Sequence, residues 1–169
     1  SFVMGADDQG RDLLSAIIYG LRVSLFVGVM SVLLAMGIGV SLGLVAGYVG
    51  GWLDNLIMRI ADIQLTFPSI LIAMLIFGVL RGIIPPDLRD EMAIFVLIAA
   101  IGLSEWVPFA RTVRATTLVE KEKEYVQAAR LIGLRRGQIM WRHILPNVIG
   151  PVLVIATITL ALAIIAEAT

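Results

Sequence analysis

The sequence predicts an all-α, polytopic helical membrane protein, and three observations predict it. Of 169 residues, 59% are hydrophobic and only 15% charged, whereas a soluble domain carries roughly 25% charged residues. From Val23 to Leu53 no residue is charged, and about 20 apolar residues suffice for a helix to cross the hydrocarbon core. Further long apolar runs follow, separated by Gly, Pro and clustered charge.

Composition also removes function classes. The chain has no cysteine, which excludes disulfides, thiol catalysis and Cys-ligated metals. A single histidine, His143, argues against a protein-only zinc site. The net charge is zero, so no whole-molecule field exists to hold nucleic acid.

The chain opens on Gly5 to Asp12, where Asp7 or Asp8 can cap a helix bearing Leu13, Leu14, Ile17, Ile18 and Leu21 on one stripe. That spacing predicts an amphipathic helix over residues 1–22 lying in the outer interface. The plainer alternative is a lead-in to the first span. The first span runs from Val23 to about Ala46 and ends at the Gly47–Gly51 cluster, with Tyr48 and Trp52 as interfacial rings. Gly39 and Gly43, four apart, allow another helix to approach closely; a pore-lining role is the sharper alternative to plain packing.

The second span runs from about Trp52 to Leu80. Arg59 and Asp62, three apart, can pair on one helix face. Pro68 lacks an amide proton and clashes with the preceding turn, which predicts a kink near Gln64 to Pro68. A short loop, Arg81 to Asp90, stiffened by Pro85 and Pro86, leads to a third span over about Met92 to Ala110, interrupted by Glu105 and Pro108. Asp62 and Glu105 also raise the alternative of a proton path. A fourth span runs from Val148 to Ala166.

Between the third and fourth spans lies the only long polar stretch. It carries eight Lys or Arg from Arg111 to His143, against two in the Arg81–Glu91 loop and two in the N-terminal segment. The positive-inside rule places it in the cytoplasm, so four spans put both chain ends outside. The sequence is therefore expected to be a fragment lacking an upstream span. Within the stretch, Val119, Val126, Ala129 and Ile132 form a narrow apolar stripe, and Gly133 has the character of a left-handed C-cap. A second short basic helix follows. Pro146 biases Leu145 out of the helix, leaving Asn147 to cap the fourth span and Pro151 in that span's first turn. Ala128, Ala129 and Gly133 keep one face small for a partner's grip, with Tyr125, Ile139 and Met140 as apolar anchors; an elbow packed only on its own spans is the bland alternative.

Residues 127–146 resemble the EAA loop of ABC importer permeases: EAA, three residues, Gly, nine residues, I-x-L-P. Ala128, Ala129, Gly133, Leu145 and Pro146 match. Gln127 replaces the glutamate and His143 the isoleucine, while Glu124 stands one turn earlier. Gly5 to Ser15 resembles the G-x-D-x-x-G-R-D-x-x-S entry of dipeptide, oligopeptide and nickel permeases. Gly47 to Arg59, with Asp62 and Phe67–Pro68, is similar to their next spans. The likeness covers nearly the whole chain and is nearest to the C-type subunit of dipeptide permeases.

The resemblance implies one transmembrane permease domain over 1–169, truncated at both ends, with a cytoplasmic coupling loop over 111–146, in a bacterial cytoplasmic (inner) membrane. It implies ATPase-coupling roles for Glu124, Gln127, Ala128, Ala129, Gly133, Leu145 and Pro146. The partners implied are a homologous permease subunit forming a heterodimer, two cytoplasmic ABC ATPases and an extracytoplasmic peptide-binding protein. No cofactor is expected in this chain. It lacks a G-x-x-x-x-G-K-[ST] sequence, so ATP is expected on the partner subunits and the chain is not expected to be an enzyme. Import of dipeptides or short oligopeptides is the expected activity. Nickel or glutathione import, an ion-coupled secondary transporter and a membrane scaffold are the alternatives.

Overall fold

The structure, a computed structural model, describes residues 13–167. Among these residues every regular element is helical. Two helices are long and apolar enough to cross a membrane, Ile17–Val49 and Arg136–Ile165, and two bent pairs raise the number to four if each is one span.

Helix α1 (Leu13–Val49) is the axis of the fold, with four other helices of the chain packed against it. Its 37 residues extend about 55 Å at the α-helical rise. The expected entry helix over 1–22 lies partly outside the described residues. From Leu13 onward it is no separate element, because it continues into α1 without a break. Gly50 and Gly51, both at positive φ (68° and 64°), end α1 and turn the chain, a backbone region that glycine enters at little cost.

The stripe Gly39, Gly43 and Gly47 lets α1 lie directly on α5 (Trp106–Glu120). A Cβ at 39 would stand 2.5 Å from Phe109 Cβ, one at 43 would stand 2.5 Å from the Ala110 carbonyl oxygen, and one at 47 would stand 2.8 Å from Thr117 Cβ. This close approach is what the four-residue glycine spacing predicts. Its partner is inside the chain, so Gly39 and Gly43 are packing residues and do not line a pore. Val27, Ala35, Val40 and Leu44 of α1 join Phe109 and Val113 in the main apolar core.

The second expected span is two helices at 99°, α2 (Gly51–Leu65) and α3 (Ser69–Ile83). Pro68 does more than kink a helix. It pushes Phe67 out of helical geometry, and Pro68 itself stands extended at the start of α3, with φ −57° and ψ 133°. No α3 residue is buried. A 3₁₀ turn (Pro86–Leu88) leads into α4 (Arg89–Ser104), which meets α5 at 41° across Glu105.

Two long-range ion pairs fasten α2 to α5. Arg114 clasps Asp54 through two of its nitrogens, Nε to Oδ1 and Nη2 to Oδ2, the latter at 2.6 Å, the fork geometry that makes arginine–carboxylate pairs strong. Asp62 pairs with Arg111. The expected Arg59–Asp62 pair on one helix face is thereby corrected: Asp62 turns toward the neighbouring helix.

Gln64 joins the two breaks. Its Nε2 donates to the Ser104 carbonyl at 2.8 Å and the Leu103 carbonyl at 3.3 Å, and its Oε1 accepts from the buried Trp106 indole N–H at 2.8 Å. Those carbonyls belong to the last turn of α4, which lacks helical donors. Gln64→Leu preserves apolar bulk but strands the indole and the helix end. The expected cost is about 1–3 kcal/mol, read as a lower thermal midpoint of the purified protein. An unchanged midpoint would show that the breaks hold without the amide.

The last long helix differs most from expectation. Short α7 (Arg136–Gln138) passes through a π-helical turn (Ile139–Ile144) directly into α8 (Leu145–Glu167). Proline inside a helix removes a donor and crowds the carbonyl four residues back. Here the Leu145 amide reaches back five residues to the Met140 carbonyl, so the ladder is already widened before Pro146. The chain therefore does not stop at Leu145–Pro146. Asn147 is inside the helix rather than capping it, and Pro151 is interior rather than in the first turn.

Candidate functional site

The elbow between α5 and α8 is built from a turn, α6 (Glu124–Leu131) and the start of the last helix. Lys123, extended at φ −70° and ψ 151°, starts α6, and its carbonyl accepts from the Val126 and Gln127 amides at 3.0 and 3.1 Å. Val126 and Ala129, three apart, are buried and join Leu134, Ile139 and Ile144 in the core. Helix α5 stops at Glu120 and a turn intervenes before α6.

Gly133 ends α6 as expected, at φ +81°. The Gly133 amide donates to the Arg130 carbonyl at 3.1 Å and the Leu134 amide to the Ala129 carbonyl at 3.2 Å. This pair of bonds is a Schellman motif, completed by the apolar Leu134 packing back on the core. No heavy atom outside its immediate neighbours lies within 4 Å of a Cβ built at 133, so glycine is needed there for backbone conformation and not for space.

The elbow is tied back to α1. Lys121 Nζ donates to the Gly47 carbonyl at 3.0 Å. The Arg130 guanidinium lies 5.3 Å from the centre of the Tyr48 ring, a cation–π distance. Beside that stack is a cleft of about 420 Å³ lined by Tyr48, Arg130, Leu134, Arg136 and others.

The predicted site residues divide. Glu124, Gln127 and Ala128 are exposed on α6, and with Leu131 they occupy positions i, i+3, i+4 and i+7, a single helix face. Ala129 is buried at 5% exposure and is absent from that face. Gly133 and Pro146 are exposed, while Leu145 is half-buried against the core. Gln127 donates its amide to the Glu122 carbonyl at 2.9 Å.

The expected anchors are corrected too. Ile139 is 1% exposed and joins the core, and Met140 is only partly accessible. Tyr125 turns its hydroxyl to Glu120 and Asn147. The most exposed apolar side chains of the elbow are Leu131, at 87%, and Ile132, at 76%, ahead of Trp141 at 54%. Sequence reasoning missed Leu131 and grouped Ile132 with Val126 and Ala129 on one apolar stripe, of which only Val126 and Ala129 are buried. The available signal was that Val126 and Ala129 already fix the inward face, which leaves 131 and 132 beyond it. Among the described residues no group of three acidic, His or Cys side chains could hold a metal, and the exposed ridge carries no nucleophile paired with a base.

Comparison with known proteins decides the family. The model of the "binding-protein-dependent transport system inner membrane component" matches residues 39–169. The chain belongs to this family. The inner membrane component family is represented among similar proteins by a dipeptide transport system permease protein, DppC, of Alkalihalophilus pseudofirmus, 42% identical over 164 residues, covering 97% of this chain and 51% of that protein. The oligopeptide transport system permease protein OppC of Bacillus subtilis is 37% identical, covering 97% and 50%. A glutathione transport system permease protein, GsiD, of Pectobacterium atrosepticum is also 37% identical, covering 98% and 52%. The chain thus spans about half the length of these relatives. As a member of this family it has the helical membrane fold the sequence predicts, and its exposed apolar surface suits lipid.

Proposed function

We propose that this chain forms part of the conduit of an ATP-driven importer of dipeptides or short oligopeptides. Its elbow, bearing an excess of Lys and Arg, faces the cytoplasm. There an ABC ATPase subunit docks on it, the second ATPase docking on a homologous permease partner that completes the pore. An extracytoplasmic peptide-binding protein delivers the cargo. Glu124, Gln127, Ala128 and Gly133 belong to the docking surface. Ala129, Leu145 and Pro146 shape it from within or behind. The chain itself performs no ATP hydrolysis.

The observation that carries this reading is the ridge of α6, where Leu131 and Ile132 stand in solvent at the point where the elbow turns. Exposed apolar side chains at the tip of a structured polar loop stay out of water only when a partner covers them. In the full transporter, Ile132→Asp places an unpaired charge in that interface. ATPase co-purification and dipeptide uptake are expected to fall by at least about tenfold, the effect of burying a charge worth 1.4 kcal/mol or more. Retention of both would remove α6 from the docking surface. Uptake that persists with ATP depleted and a proton gradient maintained would instead indicate ion coupling.

The likeness to a glutathione permease protein favours a second cargo class of the same chemistry, a short peptide. ATPase stimulation by a panel of binding proteins loaded with dipeptide, oligopeptide, glutathione or nickel discriminates among them. No stimulation by any peptide-loaded form would overturn peptide import.

A further inference from the structure

One hydroxyl stands where three helices of the elbow meet. Tyr125, the second residue of α6, donates its Oη proton to Glu120 Oε2 at 2.6 Å and accepts from Asn147 Nδ2 at 3.0 Å. Glu120 ends α5 and is 9% exposed; its other oxygen accepts from Lys123 Nζ at 2.6 Å. Asn147 lies in the first turn of α8, and the same Nδ2 donates to the His143 carbonyl at 2.9 Å, inside the π-helical turn. Burial, with the nearby Glu120 carboxylate, raises the pKa of the Tyr125 hydroxyl above the ordinary tyrosine value. The phenol therefore remains protonated and keeps its donor.

Covalently, α6 reaches its neighbours only through softer pieces. Residues 121–123 are a turn before it, and after it comes the left-handed Gly133 turn. A displacement entering α6 through these would be partly absorbed. The Glu120–Tyr125–Asn147 chain bypasses both, bridging 22 residues of sequence between Tyr125 and Asn147.

We propose that Tyr125 is a positioning residue that latches α6 to the end of α5 and the start of α8, so that motion imposed on α6 is delivered to both helices. This rests on the coupling reading above. The tyrosine acts through Glu120 and Asn147 rather than by touching the partner.

The test uses the full transporter in liposomes, with Tyr125→Phe, Asn147→Ala and the double variant. ATPase subunits are expected to co-purify normally and binding-protein-stimulated hydrolysis to persist. Peptide moved per ATP is expected to fall about 3- to 10-fold, the worth of one hydrogen bond. The double variant should be no worse than the worse single variant, because both remove one link. An unchanged transport-to-hydrolysis ratio in Tyr125→Phe overturns the latch, as do additive losses in the double variant. Loss of co-purification in Tyr125→Phe overturns it as well, by making the residue part of the docking surface. If Ile132→Asp retains docking and uptake, the coupling reading fails. If that variant loses docking while Tyr125→Phe keeps its ratio, the latch alone fails.

Discussion

Leucine at position 43 is expected to prevent α1 from seating on α5. A Cβ alone at that position would lie 2.5 Å from the Ala110 carbonyl oxygen and 2.9 Å from Val113 Cβ. The first obstacle is backbone, which has no rotamer to yield. Overpacking of a tight core costs about 1–3 kcal/mol, so Gly43→Ala should lower stability by an amount in that range and Gly43→Leu by more. Gly37→Ala is the control, since nothing lies within 4 Å of its Cβ. There the helix should gain up to about 1 kcal/mol from replacing glycine. Thermal midpoints of the three purified variants measure the difference. Equal effects at 37 and 43 would show that the seam is not a close contact in the membrane.

Gly133→Trp is expected to leave membrane insertion intact while abolishing ATPase docking and uptake. Two causes are separable. The first is conformational: at φ +81° a branched side chain is strained by about 1–3 kcal/mol, which Gly133→Val isolates. The second is bulk projecting into the empty space at that turn, where the partner is proposed to sit. Asparagine tolerates the left-handed region, so Gly133→Asn should keep most uptake. Fractionation, co-purification and radiolabelled dipeptide uptake read the three together. Normal uptake by Gly133→Trp would remove this turn from the mechanism, and uptake by Gly133→Asn as low as by Gly133→Trp would assign the loss to any side chain at all.

Features set by local chemistry were legible in the sequence. The close-approach glycines of α1, the Gly50–Gly51 turn and the left-handed Gly133 follow from steric rules that act within a few residues, and the structure places all three as expected. Prolines were harder to read. Pro68 and Pro146 obey the same constraint, yet one ends a helix at a 99° corner and the other lies inside a helix. The outcome at Pro146 depends on a π-helical turn upstream, whose carbonyls are partly satisfied by Asn147. Nothing near 146 announces that arrangement. Long-range partners were hidden for a different reason. Asp62 chose Arg111, 49 residues away, over the nearby Arg59, and Gln64 found Ser104 and Trp106. Only packing of α2 on α5 brings those groups together.

At the candidate site, the motif located the elbow but not its outward face. Ala128 and Ala129 are neighbours in the pattern and opposite in the fold, one exposed and one at 5%. A helix advances about 100° per residue, so two adjacent alanines cannot both face a partner. The exposed pair Leu131 and Ile132 had no place in the motif, and only the burial of Val126 and Ala129 reveals it.

The unbroken run from Arg136 to Ile165 makes the elbow and the final span a single lever. Thirty residues amount to about 45 Å of rod. A tilt of only about 5° imposed at its basic end sweeps the opposite end through roughly 4 Å, close to the width of a methylene chain, on that same length. A hinge at Leu145–Pro146 would have broken the rod within the loop; a continuous rod carries a small tilt at its basic end to a displacement of several ångströms at the other.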